Sequence, residues 1–363
     1  MEVIEELQEQ LEVGASIFNI SHWDSSPPFR SRLRKHLRLP LRPSPEPYIY
    51  SYWLEKEGLL SRLGFGSRRN GCLITPSGSV STLCAMNWLR LHRKKRLHVV
   101  CPTYFTVGHV ASVMGLDVSR AYMIRTGKGL KLPSLNINPE EDALWISDPV
   151  YSTGVALDKT QLGQLCEIAK KGIPVVLDLC LKSSFRYPKS LTESPNVVII
   201  SSPHKAISLN GIKFSALVFD KSQTLSFEHW ADALTGGLGF SSQMALEHYQ
   251  SESFVEYSTE FQKLINQSRR FLAGQIKGTK TCLTDTGKDG YFQAVYFPRI
   301  SASLEYDFAF LKKIFKECGA CFIPGNRNYF PSEWGFGFRI NHARDCPQFR
   351  GAVSRLISCL GSF

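Results

Sequence analysis

The chain has 363 residues, 43% of them hydrophobic, which is enough for a sizeable core and suits one large domain with a smaller one. Its formal net charge of +11 would suit nucleic acid, but outside the runs Arg30–Arg42 and Arg90–Arg96 the basic residues are dispersed and no nucleic-acid motif accompanies them, so no such partner is expected. No stretch approaches the about 20 apolar residues that cross a bilayer, and the opening MEVIEELQEQLEVG is acidic and amphipathic, so the expectation is a cytoplasmic protein with no membrane partner.

Residues 1–47 combine an amphipathic opening, an extended piece at Ser16–Ile20 and a Pro- and Arg-rich stretch, which suits an N-terminal arm or part of a small domain. From residue 72 short apolar runs alternate with helical periodicity. CLIT precedes a helix through Trp88, LHVVCP a helix through Met114, and ALWISDP a helix around Leu162–Lys170; IPVVLDL and NVVIISS follow. Continuous Val/Ile/Leu runs between helices predict a mostly parallel sheet covered on both faces, the large domain of 48–244. A helical stretch at Met244–Leu272, GYFQAVYF, a helix near Phe308–Cys318, the strands CFIP and GFGFRI and a closing helix at Gln348–Leu360 predict a small α+β domain over 245–363. The ten cysteines are scattered and read as free thiols; Cys318-Gly-Ala-Cys321 lacks the second pair or histidines a zinc site needs, so no metal is expected.

Four polar groups fall at the carboxyl ends of predicted strands, where open α/β sheets place their ligands. These are Ser202-Pro-His-Lys205 after NVVIIS, Asp178 ending VVLD, Asp148-Pro149 after ALWIS, and Ser77-Gly-Ser79 between CLIT and a helix. A lysine amine, a carboxylate, a phosphate cradle and an aromatic platform are what chemistry on amino acids through pyridoxal 5′-phosphate (PLP) requires. Each group alone has a plainer reading: a loop lysine, a cap, a solvated strand arginine.

Their joint order resembles the fold-type I PLP enzymes, in particular the class I/II aminotransferases that include histidinol-phosphate and aspartate aminotransferases, over nearly the whole chain. The resemblance implies a large domain with a mostly parallel seven-stranded sheet and a small α+β domain. Ser202-Pro-His-Lys-Ala-Ile-Ser-Leu-Asn-Gly-Ile-Lys213 is similar to the family's S-x-S-K-x-x-G-L-x-G-x-R block. That makes Lys205 the Schiff-base lysine and proton shuttle, with Ser202 and Lys213 on the phosphate; Lys213 replaces the usual Arg and so gives up its fork. Asp178 stands where the family's D-x-A-Y aspartate pairs with the pyridinium nitrogen, while Leu181 replaces that motif's tyrosine. Asp148-Pro-Val-Tyr-Ser-Thr-Gly154 resembles N-P-x-N-P-T-G, placing Tyr151 in a catalytic position beside the ring hydroxyl; fewer donors there would raise the internal imine's pKa. By the same resemblance Tyr104 of Cys101-Pro-Thr-Tyr stacks on the ring, Ser79 and Val80 offer backbone N–H groups to the phosphate, and Arg339 of Phe336-Gly-Phe-Arg grips the substrate carboxylate.

The resemblance further implies an amino-acid substrate, a 2-oxo acid acceptor and a homodimer. Tyr50, or Tyr48 beside it, would reach the neighbouring subunit's phosphate, and Gly236–Ser242 either lines the shared site or is a plain loop. His204 reads as packing near the phosphate rather than as a catalyst, and Arg30, Arg32, Arg34 and Lys35 either attract a second acid group or cover the surface. Aminotransfer is the leading activity. The departures at Tyr151, Leu181 and Lys213 leave open a lyase, decarboxylase or cyclase, and a non-catalytic binding protein is the third reading.

Overall fold

Strands that are apolar along their whole length can be stable only when both faces are covered, and here they form one seven-stranded sheet. In the computed structural model the described residues are 17–39, 56–66, 68–127, 129–182, 187–277, 279, 281–285 and 287–363. The sheet contains β1 (Asn70–Thr75), β2 (Arg96–Cys101), β3 (Asp117–Tyr122), β4 (Asp142–Ser147), β5 (Val175–Asp178), β6 (Val197–Ser201) and β7 (Ser215–Asp220), in the spatial order β1-β7-β6-β5-β4-β2-β3. Only β7 runs antiparallel to its neighbours, pairing Leu217 with Leu73 of β1 and Ile200 of β6; the other pairings are parallel. Helices Gly78–Leu91, Thr106–Val113 and Lys159–Lys170 supply crossovers, and every residue of β1, β4 and β6 is buried.

A second sheet contains β8 (Leu283–Thr284), β9 (Phe292–Phe297), β10 (Ile323–Pro324) and β11 (Phe336–Asn341), in the order β8-β9-β11-β10 and antiparallel throughout. The predicted CFIP strand is split: Ala320–Cys321 leaves this sheet and pairs in parallel with Phe18–Asn19. Helices Phe308–Cys318 and Pro347–Gly361 cover it through Ile314, Phe315, Val353 and Leu356. The long predicted helix is interrupted at Ser251, giving Phe240–Gln250 and Glu252–Lys277.

Residues 17–39 join the fold through backbone pairing and burial. Ile20, Phe29 and Leu33 are fully buried, and Ser26 caps helix Pro27–Leu33 by accepting from the Phe29 N–H at 3.2 Å. An apolar cluster containing Phe29, Tyr151, Leu181, Ile207, Phe261 and Phe292 joins this segment to both sheets. The carboxyl ends of β1, β2, β4, β5 and β6 therefore open toward β11 and residues 21–26.

Candidate active site

Each strand end delivers one side chain. β6 ends at Ser201 and the following turn, Pro203–Ala206, carries Lys205; β2 leads to Tyr104, β4 to Tyr151, and β5 ends on Asp178. The Lys205 ammonium lies 5.0 Å from the Trp23 ring centroid and 5.3 Å from that of Tyr104. Tyr104 and Tyr151 are tilted neighbours with centroids 5.8 Å apart.

Arg339, on β11, is 1% exposed. Its Nη1 donates to the Tyr151 hydroxyl at 3.1 Å and its Nη2 to the Ser21 carbonyl at 2.8 Å, while the Ser21 hydroxyl donates to the Arg339 carbonyl. The guanidinium is sandwiched between Trp23, 4.9 Å from the ring centroid, and Phe292, at 4.1 Å. Among the described residues no carboxylate pairs with it, and its Nε has no partner. Burial pulls its pKa down, and the neighbouring tyrosines, Tyr151 foremost, oppose that. Arginine nevertheless stays charged, so this is a buried cation with spare donors, the condition of a site awaiting an anion. Burial pushes the Tyr151 hydroxyl well above its usual range, so it keeps its proton at neutral pH and can donate it.

On the other side of Lys205 the hydroxyls form a chain. Ser202 Oγ donates to Ser215 Oγ at 3.0 Å, and Ser81 Oγ lies within 3.0 Å of Ser215 and 2.8 Å of Thr75. Helix Gly78–Leu91 begins beside them; Ser77 caps it by accepting from the Val80 N–H at 3.4 Å, and Ser79 is exposed in the first turn. A Cβ added to Gly78 would come within 3.1 Å of Cys180 Sγ and 3.3 Å of Ser202 Oγ, so a side chain between helix start and Ser202 would press on both. Lys213 donates to the Asn210 carbonyl at 2.9 Å, and its pKa is lowered by burial and then by Lys205. Two cations, a helix N-terminus and a serine converge here, the donor chemistry of a phosphate cradle. Asp178 accepts from the Cys180 N–H at 3.0 Å and from Ser147 Oγ at 3.3 Å, which fixes its carboxylate at the strand end.

Other expected residues lie elsewhere. His204 points away from the cleft into a buried pair with His248, 3.1 Å between ring nitrogens, and burial, then His248, lowers its pKa to about 3. Arg30, Arg34 and Lys35 are exposed, and Arg32 donates to the Asp345 carbonyl at 3.0 Å. Ser242 Oγ donates to the Lys213 carbonyl at 3.0 Å, tying the Gly236–Ser242 stretch to the cradle. Tyr48 and Tyr50 lie outside the described residues. Trp23, Ser21 and Phe292 were not singled out by the sequence, and their only signal is that Ser21 and Trp23 follow the extended piece at 16–20.

No family model matches the chain. It is 23% identical over 301 residues to an aspartate aminotransferase of Sulfolobus acidocaldarius, covering 78% of this chain and 73% of the relative. Among solved structures it is similar to the methionine aminotransferase YbdL of Escherichia coli, with a TM-score of 0.76 at 14% identity over 98% of this chain and 96% of that one. The multiple substrate aminotransferase of Thermococcus profundus gives a TM-score of 0.76 at 13% identity over 99% and 94% of the two chains. A kynurenine aminotransferase of Pyrococcus horikoshii gives 0.74 at 16% over 98% and 94%. These likenesses show that the chain has the aminotransferase-like fold.

Proposed function

We propose that this chain, which has the fold of the class I aminotransferases, is a PLP-dependent aminotransferase acting on an amino acid, with a 2-oxo acid as acceptor. The observation that carries the proposal is the meeting of Lys205 and Arg339 on one indole: an amine and a buried guanidinium that no described carboxylate pairs with, brought together from residues far apart in sequence. An amino acid presents the complementary pair, an α-amine and an α-carboxylate.

PLP bound in this cleft would supply the electron sink that makes the substrate α-proton acidic. The residues present fit it: Ser202, Lys213, the backbone at Ser79 and, in exchange for its long bond to Ser77, that at Val80 would hold the phosphate, with Tyr104 as platform and Asp178 for the ring nitrogen. Arg339 orients the carboxylate, which fixes the direction of the Cα–H bond. With PLP bound, Lys205 Nζ would hold the cofactor's aldehyde carbon until the substrate amine replaces it there, and the freed lysine amine would then take and return the Cα proton. The neutral Tyr151 hydroxyl accepts from Arg339 and so would keep its own proton available to the cofactor's ring oxygen.

The proposal includes a homodimer, supported by exposed Leu234 and Phe240, which flank the Gly236–Gly239 turn. It also includes a reducing cytosol, which suits ten cysteines that form no disulfide. The proposed division, 48–244 for the cofactor domain and 245–363 with part of 1–47 for the small one, is supported by the separate cluster of Ile20, Phe315, Phe338 and Leu356. The test is the absorbance spectrum between 300 and 550 nm with amino acids and then keto acids added. A band absent from Lys205→Ala, bleached by amino acid and restored by keto acid, is the expected result; no band after PLP is added would overturn the proposal.

A further inference from the structure

We propose that Glu305 is a positioning residue of this cleft, a buried carboxylate that holds the strand of Arg339 and the turn behind Tyr104 together when ionised and loosens them when protonated. The inference rests on the site proposed above and adds a group that acts on it through the backbone.

Glu305 lies in the short turn Ala302–Tyr306 and is 4% exposed. Its Oε1 accepts from the Gly337 N–H at 2.7 Å, and its Oε2 accepts from the Asn326 N–H. Gly337 is two residues before Arg339 on β11, so the first bond fixes the strand that carries the guanidinium. The second bond fixes the turn Gly325–Asn328, and Asn326 Nδ2 adds to it by donating to the Glu305 carbonyl at 3.0 Å. That turn ends with the Asn328 carbonyl accepting from the Thr103 N–H at 3.1 Å, one residue before Tyr104. Each carboxylate oxygen therefore serves one wall of the cleft. The turn has few other polar holds, since Asn326 Oδ1, Asn328 Nδ2 and Thr103 Oγ1 are buried without a partner. A Cβ on Gly325 would meet the Phe330 ring at 2.7 Å and Glu305 Oε1 at 3.0 Å, so glycine lets the turn lie this close to the carboxylate.

An ionised carboxylate accepts on both oxygens, whereas a protonated one carries a hydroxyl that is itself a donor and opposes the N–H it faces. Burial raises the Glu305 pKa to about 7, and the bonds from Gly337 and Asn326, which favour the ionised form, oppose that rise. Of the ionisable groups on the elements packed against it, Tyr306 and Asp307 beside it, Lys312 on the following helix, Arg327, Tyr329, Glu333 and Arg339, none shifts it. Both forms are therefore populated near neutral pH, and one proton decides whether both walls are held.

Two readouts of the PLP-loaded protein between about pH 6 and 8.5 test this. Amide proton resonances followed by NMR read the carboxylate, and the affinity for propionate, a monocarboxylate that stays ionised throughout, reads the cleft. The Asn326, Gly337 and Thr103 amides are expected to titrate on one midpoint near 7. Propionate is expected to bind about threefold more tightly at the high end than at the low end, and Glu305→Gln, which stays neutral, to abolish both effects. Amides without a shared midpoint, or an affinity change undiminished in Glu305→Gln, overturn the proposal. Should Glu305→Gln not fold, Glu305→Asp decides: a displaced midpoint shared by amides and affinity supports the proposal, and an unaltered affinity curve overturns it. The amides titrate with or without cofactor, so a missing cofactor band marks failure of the aminotransferase reading, whereas a band with no shared midpoint marks failure of the Glu305 reading alone.

Discussion

The Tyr151 hydroxyl accepts a hydrogen bond from Arg339 Nη1 at 3.1 Å, joining the loop after a strand of the large sheet to the guanidinium on a strand of the small one. Both side chains are buried, so neither can substitute water freely for the other. Tyr151→Phe removes one of the two acceptors that hold the guanidinium. A hydrogen bond to a charged group contributes about 1.5 to 3 kcal/mol, so KM for the amino acid is expected to rise roughly tenfold or more. On the proposed reading, loss of the hydroxyl also removes a donor to the cofactor's ring oxygen, and the pH at which the cofactor band changes should move up. Steady-state kinetics and a spectral titration of the variant check both, and an unchanged KM would count against Arg339 as the carboxylate ligand.

Lys182 forms a further tie between the two parts of the chain. Its Nζ lies 3.1 Å from Asp148 Oδ1 and 2.8 Å from Asp289 Oδ2, with Asp148 almost fully buried. Burial raises the Asp148 pKa and Lys182 is the chief opposing influence. Lys182→Met removes the cation between two facing carboxylates, and removing one partner of a buried ion pair costs about 3 to 5 kcal/mol. Urea denaturation should report a loss of that order, with part of it recovered in Lys182→Met/Asp289→Asn. A loss below about 1 kcal/mol would mean that the pair behaves as an exposed one.

The buried histidine pair gives the fold an acid limit. His204 titrates near 3 in the folded chain, against 6.5 for a free imidazole. Above 6.5 neither state binds the proton, whereas between 6.5 and about 3 the unfolded chain binds it and the folded chain does not. Stability is therefore present above 6.5 and is lost progressively as pH falls toward 3. The thermal midpoint should decline across that window and decline less in His204→Gln, measured by differential scanning calorimetry. Parallel curves for the two proteins would assign the acid sensitivity to other groups.

The rhythm of apolar runs made five strands of the large sheet legible, because each is buried on both faces and so reads as an unbroken apolar run. Asp117–Tyr122 was not legible: it is the edge strand, its residues are exposed or half-exposed, and DVSRAY reads as a loop. Ser215–Asp220 was also missed, since it runs against its neighbours and follows the Lys213 loop with no crossover helix to announce it. The sequence singled out Lys205, Asp178, Tyr104 and Tyr151 because each follows or ends a predicted strand, and Arg339 because it lies within one, all in a recurring order. Trp23 was not, since what singles it out is contact with Tyr104, Tyr151 and Phe292, residues far away in sequence. The extended piece at 16–20 gave a strand but no indication of what lies past its end.

Gly78 offers a way to separate cofactor retention from folding. It is the first residue of helix Gly78–Leu91, and its φ is not positive, so alanine is acceptable to the backbone there. The conflict is with side chains: the new Cβ would meet Cys180 Sγ at 3.1 Å and Ser202 Oγ at 3.3 Å, tighter than ordinary contact. Those two atoms already touch at 3.4 Å, so neither can yield toward the other. Relief that moves Ser202 would take its hydroxyl out of the serine chain proposed to hold the phosphate. Gly78→Ala should therefore release PLP about tenfold more readily, corresponding to about 1.4 kcal/mol, while its thermal midpoint without cofactor stays close to that of the parent. Adding Cys180→Ala removes the nearer obstacle and should restore most of the affinity, a coupling that a double-mutant cycle on PLP dissociation measures directly. Additive effects of the two substitutions would show that Gly78 and Cys180 do not share the cradle.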